Sequence, residues 1–182
     1  MHVMRSSENF VRELAFVAVA DSKIVSCVMF VKGTIAGDDG VVREVLTLGP
    51  IAVLPAYQKK GVGRRLIDHA RKEAIRQGYA AIVLCGDPLY YSRVGFEPAE
   101  NFGIRTSDNK YFVALQICPL QEKRPESFAG RYSDDAVYNI SQEAAFEFDQ
   151  QFPPKDRLEN TPSQKRLLEI IEMQRPFDGA KR

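Results

Sequence analysis

The sequence predicts an α/β fold in which helices flank a mixed sheet. Apolar runs rich in β-branched and aromatic residues recur along the chain up to Cys118. One long amphipathic stretch of helical period separates the third run from the fourth, and glycine, proline and aspartate stand at the junctions.

The first two runs, Leu14 to Ala20 and Ile24 to Val31, are joined by Asp21, Ser22 and Lys23 and read as a β-hairpin. The third, Val41 to Leu54, follows the turn Gly37, Asp38, Asp39, Gly40 and carries Gly49 and Pro50 in its middle. Proline cannot donate to a ladder, so the strand must bulge or splay there. Gln58 to Gly78 places Val62, Leu66, Ile67, Ala70 and Ala74 at helical spacing, with charges opposite and Gly78 as the C-cap. Ala80 to Cys85 reads as a short strand, Pro88 to Val94 as a short helix and Tyr111 to Cys118 as a strand.

After Pro119 the composition turns polar and aromatic, and two helices are signalled. Asn139 and Gln142 are candidate caps for a helix burying Ala145, Phe146 and Phe148. Thr161, Pro162 and Gln164 form a capping box for a second, with Leu167, Leu168 and Ile171 on one stripe and an end before Pro176. The chain divides into residues 1–119 and an extension, 120–182, whose two helices pack on the core or on a partner.

The 182 residues are 45% hydrophobic and 27% charged, which excludes wholesale disorder. Lys plus Arg number 25 against 24 Asp plus Glu, a net charge of +1 that argues against a broad grip on nucleic acid. No apolar run reaches the length of a membrane span, and the opening MHVMRSSENF is no signal peptide. Cys27, Cys85 and Cys118 sit singly in apolar runs, as expected of buried thiols in a reducing cytoplasm. His2 and His69 are too few and too far apart for a metal site, and none is expected.

The chemistry concentrates in Gln58, Lys59, Lys60, Gly61, Val62, Gly63, between an extended run and a helix. Two glycines let a ligand approach the backbone, and the first helical turn leaves N–H groups free. Those groups and the helix dipole suit a pyrophosphate, and Lys59, Lys60 and Arg64 add positive charge. An ordinary strand-to-helix turn would look the same from this feature alone. A P-loop is excluded because Arg64 and Arg65 follow the second glycine, and a dinucleotide fingerprint because Leu66 fills the place of its third.

From Leu48 to Leu54, then Pro55, Gln58, Gly61 and Gly63, the sequence resembles the acetyl-CoA signature of the GNAT superfamily of N-acetyltransferases. Tyr90, Tyr91, Ser92, Arg93, Val94, Gly95, Phe96 and Glu97 resemble that superfamily's second hallmark, a tyrosine four positions before a Gly-Phe pair. The resemblance, running from Glu13 to Cys118, is to a branch of small bacterial predicted acetyltransferases with the same Leu-Gly-Pro strand. It implies a GNAT-like, mostly antiparallel mixed sheet with a splayed central strand, and a cytoplasmic enzyme that uses acetyl-CoA as co-substrate. The parted strand offers backbone to the pantetheine arm, with Ile51, Ala52 and Val53 supplying main-chain contacts and one N–H as oxyanion donor. Gln58 to Arg64 would bind the diphosphate.

The reaction implied is direct attack of a primary amine on the thioester, with a base for the ammonium and an acid for the departing thiolate. Tyr91 matches the family's acid; Tyr90 reads as packing. The base is unassigned: Thr47 stands where some relatives have glutamate and cannot serve, Glu44 suits a cross-strand charge pair, and Asp87 suits a helix cap. His69 reads as a solvated helical residue. The acceptor is a small-molecule or peptide amine. The alternatives are a non-catalytic acyl-CoA-binding or sensory domain, and a partner-binding protein without cofactor affinity.

Relatives usually begin with a strand and two helices, whereas this chain begins about a dozen residues before its hairpin, an N-terminally shortened form of the domain. The strand Leu14 to Ala20 would then present an open apolar edge, and a homodimer is expected.

Overall fold

The computed structural model describes residues 2–120, 128–154 and 158–179. An eight-stranded mixed sheet runs β5-β8-β4-β3-β2-β9-β6, with β1 (Phe16–Ala20) on the same edge of β2 (Lys23–Gly37) as β9 (Gly130–Ser133). The other strands are β3 (Val42–Val53), β4 (Ala81–Cys85), β5 (Glu97–Pro98), β6 (Ile104–Arg105) and β8 (Leu115–Pro119). Only β3 with β4 and β6 with β9 are parallel; the remaining pairs are antiparallel. The sheet is therefore mixed, as the order of elements predicts, and mostly antiparallel, as the resemblance implies.

The hairpin of β1 and β2 forms where predicted, but β2 runs six residues beyond Val31. Lys32, Gly33 and Thr34 look like the end of a strand in isolation; β3 pairs with all three, and β9 takes up the other edge from Thr34 onward. The expected strand over 111–118 is two elements, β7 (Lys110–Phe112) and β8. β7 turns away to pair with β10 (Gln174–Pro176), so nonlocal pairing breaks a continuous apolar run.

Helix α1 (Val62–Arg76) starts at Val62, not Gln58, because Pro55–Tyr57 is a separate 3-10 turn and Gly61 is the N-cap. Its C-cap is Gln77, and Gly78 follows in the left-handed conformation. Its apolar stripe, Leu66, Ile67, Ala70 and Ala74, is buried with Leu14, Phe30, Leu46, Leu48, Ile82 and Leu84 in the main core. The opposite sheet face packs Ile35, Val45, Val83, Ile117 and Phe128. Alternate residues of β3 and β4 thus feed two cores, as strands covered on both faces do.

After Pro119 the structure adds β9 and β10, which the shift in composition does not signal. The first predicted helix is α3 (Gln142–Asp149), but its cap is Ser141, whose Oγ accepts from Ala144 N at 3.1 Å, rather than Asn139 or Gln142. Nothing on it is buried: Phe146 is 54% exposed, and Phe148 stacks on His2 instead of entering a core. Helix α4 (Pro162–Ile171) has the predicted capping box, yet Leu167, Leu168 and Ile171 stay exposed and only Ile170 is buried. No helix of the described residues is long and apolar enough to cross a membrane.

Candidate functional site

The parting of β3 from β4 makes the site. Their parallel pairing consists of Leu46 with Ile82 and Thr47 with Val83, after which β3 runs on to Val53 beside β2 alone. Leu48 pairs with Phe30 and Ile51 with Val28, so Gly49 and Pro50 together oppose Met29. That extra residue is the bulge expected of a Gly-Pro step in a strand, and it turns β3 away from β4. The edge of Gly49–Val53 that would face β4 has no strand partner among the described residues.

A groove of about 690 Å³ opens along that edge. Ile51 and Val53 line one side, Gln58, Lys59, Gly61, Val62, Gly63 and Arg64 its head, and Tyr90 and Tyr91 its far wall. These are nine of the sequence-predicted site residues together with Tyr90. Ala52 does not line this groove; its carbonyl faces β2 and accepts from Ser26 Oγ at 2.8 Å. Lys60 lies with β1 and His69 along a second groove of about 530 Å³, its ammonium 5.7 Å from the centre of the Tyr57 ring.

The head of the groove is built by backbone. Gly61 adopts φ 77°, and a Cβ there would meet nothing within 4 Å, so glycine is needed for conformation rather than for space. No side chain caps the helix, which leaves the first-turn N–H groups free for an anion; the ladder begins with Arg65 N to Gly61 O at 3.0 Å. Gln58 Nε2 donates to Val53 O at 3.0 Å and ties this loop to the end of β3. Arg64 adds a guanidinium whose side chain is 67% exposed and 3.7 Å from Asp68.

Helix α2 (Pro88–Tyr91) sets the tyrosines. Asp87 caps it, accepting from Leu89 N at 3.0 Å, and Pro88 fills its first turn. A Cβ on Gly86 would collide with the Tyr91 ring, so glycine there makes room for that ring. Tyr91 packs edge-on against Phe96 and Tyr90, and burial, with a smaller effect of Tyr90, pushes its hydroxyl up to about 12. Tyr90, read as packing from the sequence, is 43% exposed, and its hydroxyl lies 3.0 Å from where a Cβ on Gly63 would stand. Tyr57 and Ser163 also line the groove and were not foreseen. Tyr57 stands one position before the Gln58 motif; Ser163 arrives from α4 and has no local signal.

The base candidates are engaged elsewhere. Glu44 pairs with Lys32 at 3.1 Å across the β2–β3 ladder. Thr47 Oγ1 lies 2.7 Å from Tyr132 Oη and is buried. Asp87 meets Arg166 of α4 at 3.2 Å. Burial pushes its carboxyl up, but the hydrogen bonds from Arg166 and Leu89 N–H outweigh this and hold it below the usual range. His69 is exposed, as expected, with Phe16 edge-on at 4.7 Å. Of the cysteine residues only Cys118 is buried as a whole; Cys27 is half-buried, and Cys85, the last residue of β4, is exposed as a residue although its thiol is shielded from water. Among the described residues no group of three or more His, Cys, Asp or Glu is placed to hold a metal.

Residues 12–98 match the family model for the acetyltransferase (GNAT) domain. Two Escherichia coli K12 proteins are similar in sequence. The uncharacterized N-acetyltransferase YjhQ is 35% identical over 86 residues, 47% of this chain and 46% of that protein. The uncharacterized N-acetyltransferase YhbS is 33% identical over 93 residues, 50% of this chain and 54% of that protein. The chain thus spans about half the length of the curated relatives it matches. The crystal structure of E. coli YhbS in complex with CoA superposes with a TM-score of 0.67 at 27% identity, covering 76% of this chain and 75% of that one. A GNAT family acetyltransferase from Brucella melitensis, in complex with acetyl-CoA, gives 0.52 at 26% identity over 68% and 67% of the two chains. The bulged strand, the uncapped glycine-led helix and the tyrosine before Gly95 and Phe96 agree with this match of residues 12–98 to the acetyltransferase (GNAT) domain.

Proposed function

We propose that the protein is an N-acetyltransferase that moves an acetyl group from acetyl-CoA to a primary amine by direct attack. The observation that carries this reading is one groove that joins an anion-suited helix start, an unpaired strand edge and a buried tyrosine hydroxyl. The free N–H groups after Gly61, with Lys59 and Arg64, take the diphosphate. The open edge of Ile51 to Val53 takes the pantetheine arm as a further strand, and a backbone N–H there polarises the thioester carbonyl. Tyr91 donates its proton as charge builds on the departing sulfur; a hydroxyl held near 12 stays protonated at neutral pH until that moment. The relatives crystallised with CoA and acetyl-CoA support the choice of co-substrate.

The boundary after residue 119 belongs to the same proposal, with the extension lending Ser163 to the groove through α4. A cytoplasmic location fits three thiols without a disulfide. The open edge of β1, with Val17 and Val19 53% and 61% exposed, suits pairing with a second copy. A monomer by light scattering at high concentration would refute the dimer.

Free acetyl-CoA at ~100 times Kd should raise stability by about 2.7 kcal/mol in thermal unfolding. Gly61→Val and Gly63→Val should abolish that gain, and full retention by both refutes the diphosphate cradle. Tyr91→Phe should bind as before and turn over roughly 10²- to 10⁴-fold more slowly.

A further inference from the structure

The ammonium of an acceptor must lose a proton before it attacks, and neither Glu44, Thr47 nor Asp87 is free to take it. Gly49 on β3 and Cys85 on β4 each stand two residues beyond the last parallel pair, so they face one another across the start of the opening. Tyr91 and Ile51 pack on the α1 side of the sheet. On the opposite side the opening is bordered by β9 and the chain that follows it. There Tyr132 reaches Thr47, and Tyr138 Oη donates to Gly49 O at 2.9 Å. Asp134 lies between these two tyrosines in sequence and interacts electrostatically with both, and with Cys85 across the gap.

Its neighbour Asp135 has a structural task. That carboxylate caps the 3-10 turn Ala136–Tyr138, accepting from Val137 N at 2.7 Å, Asn9 Nδ2 at 2.7 Å and Ser7 Oγ at 3.0 Å. Among the described residues Asp134 is in no ion pair; the residue as a whole is exposed while its carboxyl is partly shielded and accepts from its own backbone N–H, which leaves lone pairs available to a ligand.

We propose that Asp134 is the base that takes the proton of the acceptor ammonium, from the sheet face opposite α1. The assignment rests on the acetyl-transfer reading above. One N–H proton passes to the Asp134 carboxylate, and the freed lone pair forms the new C–N bond as the C–S bond breaks. Tyr91 gives its proton to the thiolate. The surplus proton left on nitrogen returns to the tyrosinate through water, and Asp134 releases its own to solvent, so the enzyme is restored.

The surroundings agree with this role. The titratable groups facing Asp134 are Tyr132, Tyr138, Cys85 and Asp135. Burial raises both tyrosines and pushes the Cys85 thiol up to about 11, so all three are neutral at pH 7. The mouth therefore carries carboxylate charge alone, which favours a compact ammonium. Loss of water around the carboxyl pushes Asp134 up, a hydrogen bond from its own backbone N–H holds it back in part, and the charge of Asp135 pushes it up again, which leaves it above its ordinary value, toward the pH at which a base works best.

The test is Asp134→Asn in the full chain, with Asp135→Asn as the structural comparison. Thiol release from acetyl-CoA is followed with spermidine, an aminoglycoside, lysine and a peptide bearing a free N-terminus. Asp134→Asn should lower kcat by roughly 10²- to 10⁴-fold, keep the thermal shift with acetyl-CoA, and lose the acid limb of the kcat profile. Its own Tm should hold or rise, because a carboxyl raised by folding is penalised as a charge at neutral pH, whereas Asp135→Asn should lower Tm. A kcat within threefold of wild type overturns the assignment.

A second measurement does not depend on the acceptor. Iodoacetamide modification of Cys85, read by peptide mass at about pH 9, should quicken about three- to tenfold in Asp134→Asn, since the nearby negative charge is gone. An unchanged Cys85 rate overturns the placement of Asp134 at the mouth. Wild-type protein that gains no stability with acetyl-CoA refutes the transfer reading instead, a failure the Cys85 rate keeps separate.

Discussion

Helices α1 and α4 both carry an apolar stripe, yet α1 buries Leu66, Ile67, Ala70 and Ala74 whereas α4 buries Ile170 and leaves Leu167 and Leu168 more than half exposed. Helical period states which side of a helix can be buried; it does not supply the surface that buries it. α1 follows β3 and lies on the open face formed by β2, β3 and β4, so its stripe meets Phe30, Leu46 and Ile82. α4 comes after both sheet faces are covered, and it is fixed to the domain by a polar link, Arg166 to Asp87. The α1 side of the candidate site is thus built on deep packing, while α4 reaches the same groove through an ion pair and a single lining serine.

Substitutions along the two helices sharpen that contrast. Ile67→Ala, at a fully buried position, should cost about 2–5 kcal/mol in denaturant unfolding. Gly86→Val should push the Tyr91 ring aside and lower kcat about 10²-fold while acetyl-CoA binding persists, as ligand titration would reveal. Arg166→Gln should cut the link to Asp87 and cause a small loss of stability at neutral pH. The Asp87 carboxyl is held below its ordinary 3.8, so the stability it gives is present above that value and lost on acidification through its lower folded pKa. The gap between wild type and Arg166→Gln in urea midpoints should therefore close below pH 3.8; a gap that widens in acid would break the contrast. Leu168→Ala, at a position 65% exposed, should stay within ~0.5 kcal/mol of wild type.

Much of the site was legible because its parts are local in sequence. The bulge needs only Gly49 beside Pro50, the anion-suited turn only Gly61 before Val62, and the tyrosine helix only Asp87, Pro88 and the aromatics after them. Burial in the extension was not legible. Phe146 and Leu168 look like core residues by type and spacing, but the sheet they would pack on is already covered by other segments. The run from Tyr111 to Cys118 likewise reads as one strand, and its division into β7 and β8 follows from a partner, β10, sixty residues away in the chain to the nearest ten. Asp134 shows the same limit in the candidate site. Nothing around it in sequence marks it as different from Asp135, and only β9 pairing with β2 carries it toward the parting of β3 and β4.

By itself the sequence determined the hairpin, the kinked central strand, α1 and the anion-suited turn before it. Each of these depends on backbone preferences and side-chain periods within a dozen or so residues. Tertiary structure decided which apolar stripes were buried and which carboxylates were tied into ion pairs. Those outcomes depend on distances between segments far apart in the chain, and local preferences do not specify such distances.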